Sequence, residues 1–220
     1  MLDYGYDREA SLAFGVICGT DEAGRGPLAG SVVAAAVVLP PELIIPGLDD
    51  SKKLTEKKRE ALYDVIRREA LAYGVAESTA EQIDRTNILA ASLDAMRRAV
   101  EQVKETVLPA LVLVDGNRPT DFGVPCRCVV KGDGISQSIA AASVLAKVTR
   151  DRQMTELDRL YPAYGFAKHK GYPTKEHKLA VYEFGPSPVH RRSFLSFLER
   201  DAEQLARALA EKRPREGEGT

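Results

Sequence analysis

The sequence predicts a mixed α/β sheet carrying a helical C-terminal appendage. Three observations lead there. Apolar, partly β-branched runs recur at residues 14–20, 31–39, 70–78, 110–114 and 125–130. Helical patterns separate several of these runs, as in layered α/β domains. From residue 136 onward only helix and loop patterns remain. A chain of 220 residues suffices for one ordinary domain plus an extension, and it shows no internal repeat and no domain-sized linker.

Taken in order, residues 1–12 are polar and read as a loose or short helical lead-in. Residues 14–20 form a first strand, and Gly24-Arg25-Gly26-Pro27-Leu28-Ala29-Gly30 a turn whose residues free or fix the backbone. The run SVVAAAVVL at 31–39 is a buried strand, and Pro40, Pro41 and Pro46 mark a loop. Thr55 caps a helix over residues 56–68, with Glu56 favourable in its first turn. A third strand covers 70–78. One long amphipathic helix is predicted over 82–107, from Ile83, Ile88, Leu89, Leu93, Met96, Val100 and Val103 near helical spacing. Short strands follow at 110–114 and 125–130, then a helix over 136–160 opening with small residues that let it lie close to a sheet. Residues 161–173 read as loop, 175–184 as a helix capped by Thr174, 185–192 as a Pro-broken loop and 194–209 as a last helix. The expected division is a core over 1–160, an appendage over 161–210 and a disordered tail over 211–220.

Composition narrows the function. Hydrophobic residues make up 44% and charged residues 29%, normal for a soluble globular protein. Cys18, Cys126 and Cys128 are too few for a disulfide framework, and Cys126-x-Cys128 has no second Cys/His pair to complete a zinc site. No apolar run is long enough to span a membrane and the first residues are too polar for a signal peptide, so a cytoplasmic location is expected. Net charge is −1, but from Lys131 to Arg192 eleven Lys/Arg stand against six Asp/Glu, with all three histidines and six of the fourteen Phe/Tyr. Basic residues among aromatics suit a phosphate backbone, as they also suit a solvated face over core aromatics.

The chemistry concentrates in four acids at strand ends: Asp21 and Glu22 after FGVICGT, Asp115 after LVLV, and Asp133 after CRCVVKG. Singly, each fits a turn or a helix cap. Together, from three separate strands, they favour an oxygen cage for Mg²⁺ or Mn²⁺. Crowded carboxylates repel and raise at least one pKa unless cations enter, and two cations so held promote phosphodiester hydrolysis. Neighbours on a strand point to opposite faces, so Asp21 and Glu22 share a site only where the strand ends or bulges. Gly24 and Gly26 let a ligand approach the backbone, where amides can bind a ribose 2′-hydroxyl. No Ser-His-Asp or Cys-His arrangement competes.

With these segments in view, the chain resembles bacterial type 2 ribonuclease H, ribonuclease HII. The resemblance rests on residues 21–30, Asp50-Ser51-Lys52-Lys53-Leu54, Val114-Asp115-Gly116, Lys131-Gly132-Asp133, residues 140–152 and 169–177, in the family's order across about 14–195. It implies an RNase H-like fold with a five-stranded mixed sheet flanked by helices. It implies a Mg²⁺- or Mn²⁺-dependent endonuclease, acting as a monomer on RNA–DNA hybrids and on duplex DNA with embedded ribonucleotides. The family's ligands carry over to Asp21, Glu22, Asp115 and Asp133, its ribose reader to Gly24, Arg25 and Gly26, and its sensing tyrosine to Tyr172. Ser51, Lys52 and Lys147 match positions near the bound backbone. Ser31 replaces a frequent proline, and Gly134-Ile135-Ser136-Gln137 lacks lysines common in relatives, which bears on one basic contact and not on the acids. A type 3 ribonuclease H would carry an extra N-terminal domain, whereas about a dozen residues precede the first strand. A silent nucleic-acid-binding module would need none of the four acids, and a small-molecule phosphatase would need a phosphate-cradling loop.

Overall fold

A computed structural model of the chain describes residue 2 and residues 4–212. Most of the tail expected to be disordered, 213–220, lies outside the described residues. The elements run α1 (Tyr4–Phe14), β1 (Ile17–Ala23), β2 (Val32–Val38), α2 (Glu56–Glu69), β3 (Ala72–Ser78), α3 (Ala80–Arg85), α4 (Ile88–Lys104), β4 (Leu111–Asp115), β5 (Cys126–Val129), α5 (Gln137–Leu160), α6 (Phe166–His169), α7 (Lys175–Phe184), α8 (Phe197–Arg200) and α9 (Ala202–Lys212). Short 3-10 turns occupy Gly132–Gly134, Pro162–Tyr164 and Arg192–Phe194.

The chain divides into two compact units. The first comprises residues 1–25 and 31–150, the second 26–30 and 151 onward. The first holds one five-stranded sheet in the order β3-β2-β1-β4-β5. β2 pairs antiparallel with β1 and with β3, while β4 runs parallel to β1 and to β5, so the sheet is mixed. The unbroken apolar run of β2 follows from burial on both faces. Val33, Ala35 and Val37 pack into a core with Leu62 and Ile66 of α2 and with Ala141, Val144, Leu145 and Val148 of α5. Ala34, Ala36 and Val38 pack on the other face with Met96, Ala99, Val100 and Val103 of α4.

Thr55 and Thr174 cap α2 and α7 as expected, accepting from the amides of Lys58 and His177. The long helix expected over 82–107 is instead α3 and α4. Asn87 is extended, and its side chain accepts from the Ala90 amide, so a cap restarts the helix without breaking the apolar stripe. The last helix is likewise split into α8 and α9, and residues 161–173 contain α6 rather than plain loop.

In the second unit, Leu28, Leu179, Val181, Leu195, Phe197 and Leu205 form one core, and Ala29, Met154 and Phe166 another. Residues 26–30 belong there through their backbone. Leu28 donates to Gly171 O, Gly30 to Val189 O, and Arg191 N to Leu28 O. The fully buried Arg191 side chain donates to Gly30 O and Pro27 O at 2.9 and 2.8 Å.

Candidate active site

Register explains how the acids meet. β1 pairs with β4 from Ile17↔Leu111 to Thr20↔Val114, so Asp21 and Asp115 are the next residues along two parallel neighbours. On its other edge β1 continues without a bulge, Asp21↔Ala35, Glu22↔Ala34 and Ala23↔Val33. The strand therefore keeps regular pairing through the Asp-Glu pair, without a bulge, and the charges of Glu22 and Asp21 still act on one another. Asp133 arrives on the 3-10 turn after β5, entered through Lys131 at φ 57°. That turn folds back on β4: the Gly132 and Asp133 amides donate to Asp115 Oδ1 at 2.7 and 3.4 Å.

The outcome is a cluster in which Asp21, Asp115 and Asp133 each offer a ligand oxygen, all within 4.8 Å of one another. Glu22 is not part of that group. Its amide donates to Asp21 Oδ1 at 2.7 Å, and its carboxylate pairs with Arg25 at 3.3 Å. Asp21 is 3% exposed, and burial, then the charges of Glu22 and Asp115, hold its pKa well above the usual carboxylate range. Burial likewise pushes up Asp115, with Asp133 adding to it, and Glu22 against the opposing pull of Arg25. Three hard oxygens, from buried Asp21 and Asp133 and half-buried Asp115, form a crowded donor set suited to a divalent cation of the Mg²⁺ or Mn²⁺ type.

Of the residues expected near a bound backbone, Lys52 reaches the cluster, its Nζ 3.2 Å from Asp133 Oδ2. Ser51 does not present its hydroxyl outward: it is buried and bonded to Ser143 Oγ at 2.8 Å. Ser143 also hydrogen-bonds Asp21. Its role was hidden in the small-residue run of α5, where a serine reads only as helix packing. Lys147 lies one turn beyond Ser143 on α5 and is half-buried. Gly24 has φ +98°, and a Cβ there would fall 2.1 Å from Arg150 Nε, so the turn admits no side chain. Arg150, itself buried, donates from Nε to Ser31 O at 3.1 Å.

Gly24 and Arg25 close the first stretch of one unit, and Gly26 opens the other. Within the second unit Gly26 faces Tyr172: a Cβ on Gly26 would lie 3.6 Å from Tyr172 Cε1. Tyr172 is 44% exposed.

A model of the family "Ribonuclease HII" matches residues 18–197, a span containing all these residues. The chain belongs to the ribonuclease HII family. The ribonuclease HII of Dechloromonas aromatica is 58% identical over 186 residues, covering 84% of this chain and 94% of that protein. That of Shewanella amazonensis is 59% identical over 183 residues, 83% and 88% of the two chains. Among solved structures, ribonuclease H2 from Pyrococcus horikoshii OT3 superposes with a TM-score of 0.71 at 26% identity, covering 87% of this chain and 99% of that one. Bst-RNase HIII in complex with Mn²⁺ shares the fold, with a TM-score of 0.62 at 18% identity over 90% of this chain and 71% of that one. Membership in the ribonuclease HII family makes the protein an endoribonuclease acting on the RNA of RNA–DNA hybrids. Among the described residues no helix is long and apolar enough to cross a membrane.

Proposed function

We propose that the protein, as a monomer, also nicks duplex DNA on the 5′ side of a single embedded ribonucleotide, leaving 3′-hydroxyl and 5′-phosphate ends and so initiating ribonucleotide removal. The carboxylate cluster carries this reading, because its β1 member, Asp21, stands three residues before the Gly24-Arg25-Gly26 turn. Asp21, Asp115 and Asp133 would hold Mg²⁺ or Mn²⁺, with Glu22 completing the ligand shell. When bound, the cations supply the positive charge that lowers the barrier to phosphodiester hydrolysis. The chain's own residues do the rest. Gly132 N–H holds Asp115 in place, Ser143 holds Asp21, and Lys52 balances Asp133. Gly24, Arg25 and Gly26 read the 2′-hydroxyl through backbone amides. Tyr172 stacks its ring on the adjoining deoxyribose, a role that its exposure and its proximity to Gly26 support. Lys52 and Lys147 neutralise backbone phosphates.

One gel tests this. A labelled duplex with a single ribonucleotide is incubated with Mg²⁺, with Mn²⁺ and with chelator. The expected result is one cut, at the deoxy–ribo junction, in either metal and none in chelator. Cutting elsewhere, or without metal, refutes the reading. Asp115→Asn should lose at least about a hundredfold in rate, as loss of a cation-holding group implies. Normal hydrolysis by that variant in Mg²⁺ would remove the assignment of Asp115.

A further inference from the structure

All three histidines gather in the second unit. His177 and His190 are 0% and 2% exposed and His169 is 9%. His169 stacks on His177 with ring centroids 4.3 Å apart, and Phe166 meets both edge-on. Three buried imidazoles could suggest a metal site, but each of their ring nitrogens already has a hydrogen-bond partner. The Ser187 amide can only donate, and it donates to His190 Nδ1 at 3.0 Å. His190 therefore carries its proton on Nε2 and donates it to His177 Nε2 at 3.0 Å. That leaves the His177 proton on Nδ1, which donates to the Tyr172 carbonyl at 2.9 Å. His169 is set separately: the Gly171 amide donates to its Nδ1 at 3.2 Å, and its Nε2–H donates to Tyr164 O at 2.7 Å. Backbone groups, with His190 acting on His177, thus fix the tautomer of each ring.

This chain of bonds ends on the peptide of Tyr172. The Tyr172 amide donates to His169 O at 2.9 Å, and the Thr174 amide gives Tyr172 O a second donor at 2.8 Å. Lys170 and Gly171 just before it are both left-handed, at φ 51° and 81°. A half-exposed ring therefore stands on a mount whose every polar group is tied down.

We propose that His177, oriented by His190, is a positioning residue for Tyr172, fixing the angle at which its ring meets the sugar beside a lone ribonucleotide. The inference rests on the sugar-stacking role proposed for Tyr172. Losing the mount should impair single-ribonucleotide duplexes more than continuous hybrids, where neighbouring ribonucleotides offer alternative registers.

The test compares kcat/KM on a single-ribonucleotide duplex with that on a continuous hybrid. Tyr172→Ala should lower this ratio about tenfold, and His177→Phe, which keeps a ring and removes the donor, about fivefold. His177→Asn puts an amide nitrogen where Nδ1 was and should restore the ratio to within about twofold of the parent. His177→Phe should add nothing in a Tyr172→Ala background. An unchanged ratio in Tyr172→Ala overturns the stacking role, and this inference with it. A lowered ratio there beside an unchanged one in folded His177→Phe overturns this inference alone, as does His177→Asn no better than His177→Phe. If His177→Phe fails to fold, imidazole ¹⁵N spectra of the parent protein decide. Protons on His177 Nδ1 and His190 Nε2 support the mount, and any other tautomer for His177 overturns it.

Discussion

Asp21 shows what a site costs at the scale of a residue. A carboxylate 3% exposed, beside Glu22 and Asp115, is less stable ionised than in water. Removing its charge should therefore strengthen the fold while removing function. In chelator, Asp21→Asn is expected to gain about 1–3 kcal/mol, several degrees in Tm for a chain of this size. Added Mg²⁺ or Mn²⁺ should raise the parent's Tm and not the variant's. Calorimetry with and without cation checks both, and an unchanged Tm in chelator would mean that repulsion at Asp21 is already relieved. The histidines give the opposite pH dependence. Burial holds His177 and His190 down to about 4, against an ordinary 6.5. Below 6.5 the unfolded chain binds protons that the folded chain refuses, so stability falls as pH drops from about 6.5 towards 4. The loss is on the order of a few kcal/mol, and denaturant midpoints across that range measure it. Asp21, Asp115 and Asp133 are legible in the sequence only as a set, because each alone also fits a turn or a cap while together they end three separate apolar runs. Ser143 is not, because its meaning depends on Asp21, more than a hundred residues away.

Elements place those residues, and local pattern foretold them unevenly. Apolar runs, helical spacing and caps at Thr55 and Thr174 identify most strands and helices, since these signals are short-range. The break at Asn87 was missed because the apolar stripe continues across it, so periodicity alone cannot register a restart. The regular register of β1 is not legible for a similar reason: the sequence leaves open whether the strand ends or bulges at Asp21-Glu22, and only the pairing with β2 through Ala23 decides it. Close approach is the demand an element makes on sequence. A Cβ on Gly19 would lie 2.3 Å from the backbone of Ser138 and Ile139, where α5 begins. Gly19→Ala is expected to push α5 off the sheet and cost about 2–4 kcal/mol. Because Ser143 and Lys147 ride on α5, activity should fall in the same variant. Full stability and activity there would show that the helix can shift freely.

At the scale of the whole molecule, a net charge of −1 conceals the basic excess in residues 131–192, and the proposed phosphate contacts make that excess testable. KM for hybrid is expected to rise steeply with salt, roughly by one power of ionic strength per phosphate contacted. A salt series at fixed cation measures the slope, and a flat response would assign binding to uncharged contacts. The fold class, the order of the strands and the family are readable from the sequence, whereas the breaks within the helices are not. Nor is it readable that residues 26–30 join the second unit, because the association is made by backbone partners at 171, 189 and 191. Arg191 holds that segment with a buried guanidinium, and Arg191→Lys should lose about 2–4 kcal/mol, since an ammonium cannot reproduce the fork.

The same five residues bear on how such proteins can be recombined. A chimera that takes everything after position 150 from a relative imports a body whose missing piece lies near the other end of the parent gene. Swapping the pentapeptide together with that half keeps donor matched to acceptor, whereas swapping the half alone pairs a foreign clasp with a resident strap. Crossover points for this fold are therefore best chosen in threes, at 25/26, 30/31 and 150/151.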